Sequence, residues 1–185
     1  MTDKIVDNGE VAEHVERLSL TEIMITPEHE KRKESKLFKE SKKRLKADGH
    51  YRCYICGCED SKENKLQAHH YGAEWSMSSI VDYQKLKLFC EEWDLYGYGR
   101  LMKNILMDSP DDVRNFMILC ANHHVEINKT ANNPTSIHHM TFPYFIMQKL
   151  SLDGLDPIPQ QDQTEKQVED AIKKYQDEEV LNEEV

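Results

Sequence analysis

Apolar positions are sparse along the chain, and the stretches where they gather outline its elements. Residues 1–25 show no sustained period and read as a loosely ordered acidic extension. Thr26-Pro27, followed by Glu28 and Glu30, has the composition of a helix start, because threonine caps, proline fits the first turn and acids favour the positive end of the dipole. Gly49 marks the stop. Between them only Leu37, Phe38 and Leu45 form an apolar stripe, which predicts a helix turned mostly toward solvent or a ligand.

Beyond a cysteine knuckle the pattern predicts a short strand near 65–69. NFMILC at 115–120 reads as a buried strand, and HHVEINKT after it as a short helix. The intervening residues 71–114 carry Trp75, Ile80, Leu86, Leu88, Phe89 and Trp93 at mixed helical spacings and are expected to hold one or two helices. IHHMTFPYFIMQKL at 137–150 is apolar enough to pack back on this core. Pro157 and Pro159 then lead to a charged tail with no need to pack. The order strand, insert, strand, helix gives an α+β class. The chain divides into an acidic extension (1–25), one domain with a basic leading helix (26–150) and an acidic tail (151–185), since 185 residues leave little room for a second full domain.

No apolar run approaches the ~20 residues that span a bilayer, and MTDKIVDNGE has no basic segment leading into an apolar one. A cytoplasmic protein with no membrane partner is the expectation. The net charge of -10 argues against a polyanionic partner, but it is unevenly spread. Residues 1–30 hold eight acids and two bases, residues 31–47 two acids and nine bases, and residues 160–185 nine acids and three bases. Screening over ~8 Å at physiological salt lets the basic stretch act locally. Lys42, Lys43 and Arg44 within it are candidate phosphate contacts.

Five cysteines in a chain without a recognisable leader favour metal ligation over disulfides. Cys53-x-x-Cys56 and Cys120-x-x-His123 supply the four donors of a tetrahedral structural zinc. Cys58 offers a further sulfur, and Cys90 reads as a core residue. The adjacent pairs His69-His70 and His123-His124 imply a second site: on a helix neighbours diverge by ~100°, so His124 faces away from the zinc, with Asn128 one turn on. His138-His139 reads as a structural pair.

Taken together, Cys53/Cys56, His69-His70, Asn115, Cys120, His123 and His124 resemble the ββα-metal motif of HNH endonucleases, with Asn115 five residues before Cys120 and nine before His124. LQAHHYGAEW, NFMILCANHH and IHHMTFPYFIMQKL are similar to segments of small HNH proteins of bacteriophage type. The resemblance covers roughly residues 50–150, and the 44-residue gap between His70 and Asn115 is longer than a minimal motif has.

This resemblance implies a metal-dependent endonuclease that hydrolyses DNA phosphodiester bonds, with double-stranded DNA as its partner. His69 and His124 would ligate a catalytic ion, Mg²⁺ or in its place Mn²⁺, Ni²⁺ or Zn²⁺. His70 would be the general base, Asn115 would fix the loop holding it, and Asn128 would contact the metal shell or a phosphate. The competing expectation is a zinc-stabilised module of the same fold without the chemistry, binding nucleic acid or a host protein. On an ideal strand His69 and His70 point to opposite faces, so both reach one cleft only if Tyr71-Gly72 bends the chain.

Overall fold

The computed structural model describes residues 23–62, 64–125, 136–139, 142–160 and 162–183. Its first helix, α1, spans Lys36–Ala47, nine residues later than the Thr26-Pro27 signal suggests. Ser35 caps it, its Oγ accepting from the Phe38 N–H at 2.9 Å. The physical reason lies in residues 28–34, EHEKRKE, which contain nothing apolar: a short helix gains most of its stability from packing one face. The segment instead stays irregular, with the Ile25 N–H donating to the Pro157 carbonyl at 2.8 Å. Helix α1 buries Phe38, Ser41 and Leu45 and leaves Leu37 at the surface.

Strand β1 (Leu66–His70) pairs antiparallel with β2 (Phe116–Cys120) in the register Leu66↔Cys120 to His70↔Phe116. Alternation along the strands sorts the side chains. Leu66, Ala68 and His70 share one face with Cys120, Ile118 and Phe116, and Phe38 of α1 packs there, 5.2 Å from the Phe116 ring and 6.1 Å from His70. Gln67 and His69 lie on the opposite face with Leu119 and Met117. Helix α4 (Ala121–Val125) continues directly from β2. The strands sit within a residue of where the sequence predicts them, and α4 starts two residues before the predicted HHVEINKT helix, whose residues 126–130 lie outside the described ones; the molecule is mixed helix with a two-stranded sheet, an α+β architecture.

The insert between the strands is mostly helical. A 3₁₀ turn (Trp75–Ile80) precedes α2 (Tyr83–Glu92), whose cap Asp82 accepts from the N–H groups of Gln84 and Lys85. Helix α3 (Tyr98–Leu101) follows, and a second 3₁₀ turn (Val113–Asn115) delivers the chain into β2. Met77, Ile80, Leu86 and Phe89 from this insert form a core with Met147 and Leu150 of α5 (Phe142–Leu150). The acidic tail joins it: α6 (Glu165–Glu183) buries Val168 and Ile172 in that same cluster. Two apolar positions one turn apart are enough to seat a helix that is otherwise charged. Among the described residues no helix is long and apolar enough to cross a membrane.

Candidate metal centres

Cys53, Cys56, Cys58 and Cys120 converge, their sulfurs all within 4.8 Å of one another. Two backbone devices bring them together. The 53–58 segment folds as a knuckle in which the Gly57 N–H donates to the Cys53 carbonyl at 2.8 Å and the Cys53 N–H to the Cys58 carbonyl at 3.0 Å, a reversal that needs Gly57 at φ +70°. The Tyr54 N–H then donates to the Ile118 carbonyl at 2.7 Å, tying the knuckle to β2 two residues from Cys120.

The donor set fits a metal. Four sulfurs each ~2.3 Å from a tetrahedral zinc stand ~3.8 Å apart, and Cys56 and Cys120 are 4.0 Å apart. Burial and then the Cys56 sulfur push the Cys58 thiol up to about 12, so four thiolates this close need a cation among them. The cluster can therefore hold an ion such as zinc.

The sequence-predicted fourth ligand, His123, stands beside this cluster rather than apart from it. Its Nδ1 is 3.1 Å from the Cys120 sulfur and 3.5 Å from that of Cys53. Five donors thus surround a centre with four places, and Cys58, left open by the sequence, is one of them. Cys58 also accepts from the Asn64 side-chain amide at 3.0 Å. Cys90 is buried in the insert core, as its isolation suggests.

A second cluster lies on the opposite face of β1. His69, His124 and His138 bring one ring nitrogen each within 4.8 Å. His123 and His124 diverge as neighbours on a helix must, one toward the thiols and the other toward His69, with ring centroids of His69 and His124 5.2 Å apart. Gln67, two residues before His69 on the same strand face, accepts from His124 Nδ1 through its side-chain oxygen. That hydrogen bond leaves His124 Nε2 as the lone-pair nitrogen. It stands 3.1 Å from His138 Nε2, close to the ~3.0 Å between two nitrogens held at ~2.1 Å from one ion at a right angle. His69 Nε2 is the buried polar side-chain atom with no hydrogen-bond partner among the described residues. A buried ring nitrogen costs free energy when nothing satisfies it, and here it belongs to the metal-like trio. His138, expected as half of a structural pair, is the exposed member.

No protein-family model, curated protein or solved structure matches the chain. The chemistry of the two clusters is accordingly read from their geometry. Burial, then the neighbouring His124 and His138, lower His69 to about 3, and burial with His138 lowers His124 to about 4. Both rings are neutral at neutral pH, the form that ligates.

His70 has other surroundings. It is 2% exposed, ringed by Phe38 and Phe116, and its Nε2–H donates to Asp111 at 2.8 Å. Asp111, itself buried, also accepts from Ser35 Oγ at 2.6 Å and Arg32 at 3.4 Å. Burial would raise its carboxyl, but the His70 and Ser35 hydrogen bonds hold it below the ordinary value. His70 is lowered by burial despite Asp111. Glu74 spans the two histidines, with Oε1 3.6 Å from His69 Nδ1 and Oε2 3.9 Å from His70 Nδ1, and burial pushes it up to about 7.

Asn115 is fully buried and holds the turn after β1. Its Oδ1 accepts from the Gly72 and Ala73 N–H groups at 2.9 and 3.2 Å, and its Nδ2 donates to the Ala73 and Pro110 carbonyls, each at 2.9 Å. A Cβ on Gly72 would lie 2.8 Å from that Oδ1 and 2.8 Å from Leu86, so only glycine allows the approach. The turn bends the chain one residue too late to bring His70 onto the His69 face.

Of the proposed phosphate contacts, Lys43 is exposed, Lys42 sits beside Glu34 at 3.6 Å and over the Phe38 ring, and Arg44 lies over Tyr98 with Asp48 at 3.6 Å. Asn128 lies outside the described residues. Sequence reasoning missed Gln67, Glu74 and Asp111. Gln67 was legible, since strand alternation puts it beside His69. Asp111, 41 residues from His70, gave no local signal.

Proposed function

We propose that the chain is a metal-dependent phosphodiester hydrolase of the HNH type acting on DNA, with a ββα-metal centre and a thiolate-bound structural zinc. The observation that carries this reading is the His69–His124–His138 trio, with an unsatisfied buried Nε2 and a second-sphere acceptor on His124. It lies on the far side of a β1–β2–α4 unit from the thiol cluster, as a two-metal division of labour requires. Three imidazoles favour Mn²⁺, Ni²⁺ or Zn²⁺ over the oxygen-seeking Mg²⁺. Such an ion supplies charge stabilisation for a phosphoryl group and its leaving oxygen. His69, His124 and His138 would hold it. With Nε2–H committed to Asp111, Nδ1 of His70 is the ring atom left to accept a proton from water, on the side where Glu74 lies. Asn115 is a positioning residue.

One observation favours a second reading, a metal-stabilised binding module: His70 is sealed in the core, 2% exposed, with its Nε2–H on Asp111. Cleavage of supercoiled plasmid under Mn²⁺, Ni²⁺, Zn²⁺ and Mg²⁺ separates the two. The hydrolase reading expects nicking that His124→Ala abolishes and His70→Ala slows by ~10²–10⁴-fold. A wild-type protein that binds ions at the trio yet cuts nothing under any of them is the binding module.

A further inference from the structure

A third surface lies apart from both histidine faces. His50, just before the knuckle, meets Tyr96 and Tyr98 of the insert, and Tyr54 of the knuckle meets Tyr96. The His50 ring stands 5.1 Å from Tyr96, tilted by 31°, and Tyr54 meets Tyr96 edge-on at 6.1 Å. These rings are anchored. Tyr96 Oη accepts from the Ile118 N–H at 2.9 Å, Tyr98 donates to Asp48 at 2.8 Å, and Tyr51 donates to the Leu66 carbonyl at 3.4 Å. Tyr54, which makes none of these hydroxyl bonds, is 48% exposed, and its neighbour Ile55 is 61% exposed.

Cations are interleaved with the rings. Arg44 lies 4.8 Å over Tyr98 and Lys46 4.5 Å over Tyr51, while the Arg52 side chain is 60% exposed and pairs with Glu59, itself 70% exposed, at 2.6 Å. Asp48 is already engaged by Arg44 and Tyr98. The acids near Tyr51, Asp60 and Glu34, face Lys65 at 3.9 Å and Lys42 at 3.6 Å, so charges on this face roughly balance, with Lys46 and Arg52 set among the rings of a chain whose net charge is -10. Pre-anchored rings flanked by cations suit a strand whose base faces are free to stack and whose phosphates run alongside. A duplex hides those base faces.

We infer that this surface is a docking platform for single-stranded nucleic acid, with bases stacking on Tyr54 and along its edge toward Tyr96, and phosphates met by Lys46 and Arg52. The inference shares with the proposed function only the class of partner. Its test therefore uses the metal-loaded protein in buffer without added divalent cation, where cleavage plays no part. Fluorescence anisotropy would compare a labelled mixed-sequence single strand of about a dozen nucleotides with the duplex of the same sequence. The single strand should bind more tightly than the duplex. Tyr54→Ala should weaken it by roughly 5- to 100-fold, and Tyr54→Phe, which keeps the ring, by less than about twofold. Lys46→Gln and Arg52→Gln should each flatten the salt dependence by a slope of about 0.7.

Zinc content and melting of each variant show whether the knuckle is intact. Should Tyr54→Ala disturb it, photo-cross-linking of a halogenated-uracil strand to the wild type decides instead, with adducts expected at Tyr54 or Tyr96. Equal binding by an intact Tyr54→Ala, preference for duplex, adducts confined to Lys36, Lys39 and Lys43 on the part of α1 away from the platform, or no binding to nucleic acid at all would each overturn the inference. The last outcome would leave the platform to a protein partner, whatever the cleavage assay shows.

Discussion

On one face of the β1–β2 ribbon, His70 is sealed against Phe38 and Phe116 with its Nε2–H on Asp111, whereas on the other His69 keeps a buried nitrogen without a partner among the described residues and opens through His124 to the exposed His138. The two residues are adjacent and chemically identical. What separates them is the pleat, which sends one into a satisfied polar pocket and the other into an incomplete one. Structure built for stability completes its hydrogen bonds; a site built for a ligand leaves a vacancy in them.

The largest test of this contrast is on the satisfied face. Asp111→Ala removes one acceptor from His70, Ser35 and Arg32 at once, and should destabilise the fold by about 2–4 kcal/mol in urea unfolding. Asp111→Asn, which keeps an oxygen acceptor without the charge, should cost about half as much. The open face should respond oppositely. His69→Phe removes an orphan nitrogen and keeps a planar ring, so it should change stability by less than about 1 kcal/mol. If the two substitutions cost the same, the faces do not differ as described.

Ligand addition sharpens the difference from the other side. Ni²⁺ or Mn²⁺ at a hundredfold excess over Kd should stabilise the wild type by ~2.7 kcal/mol while leaving His69→Phe and His124→Ala unmoved. Differential scanning fluorimetry reads this directly, and an equal shift in His69→Phe would place the ion elsewhere.

The remaining effect is in pH. His69 and His124 titrate near 3 and 4 in the fold against 6.5 ordinarily, so the unfolded chain takes up their protons first. Their contribution is intact above 6.5 and lost as pH falls from there toward 3. Glu74, raised from 4.5 to about 7, runs the other way: its contribution is full below 4.5 and lost as pH rises through 7. The two offset in part between 6.5 and 4.5, and the decline should steepen below 4.5. Thermal melting without added ions for the open face should show that break, with His69→Phe flattening the acid limb; an unchanged limb would exclude His69 as its source.

The contrast also locates what each cluster owes to local spacing. Cys53-x-x-Cys56 is placed by a turn of six residues, and His123-His124 by the rotation of one helical step, so both were legible in the sequence. Strand alternation parts His69 and His70, against the expectation that a bend at Tyr71-Gly72 brings both to one cleft. Cys58 was visible as a spare sulfur, but whether it or His123 completes the centre depends on how the knuckle meets β2.

The sequence by itself determined the two strands, the start of the short helix after them, the Cys53/Cys56 and Cys120/His123 pairs and the packing of Ile146, Met147 and Leu150, because each follows from periodicity or a few neighbouring residues. The tertiary structure alone decided where α1 begins, that Val168 and Ile172 seat the acidic tail, that Asp111 satisfies His70, and that His138 joins His69 and His124. Each of these is a contact between residues far apart in the chain. Such a contact is fixed by which surfaces remain unburied once the local elements have formed, and no window of sequence contains that information.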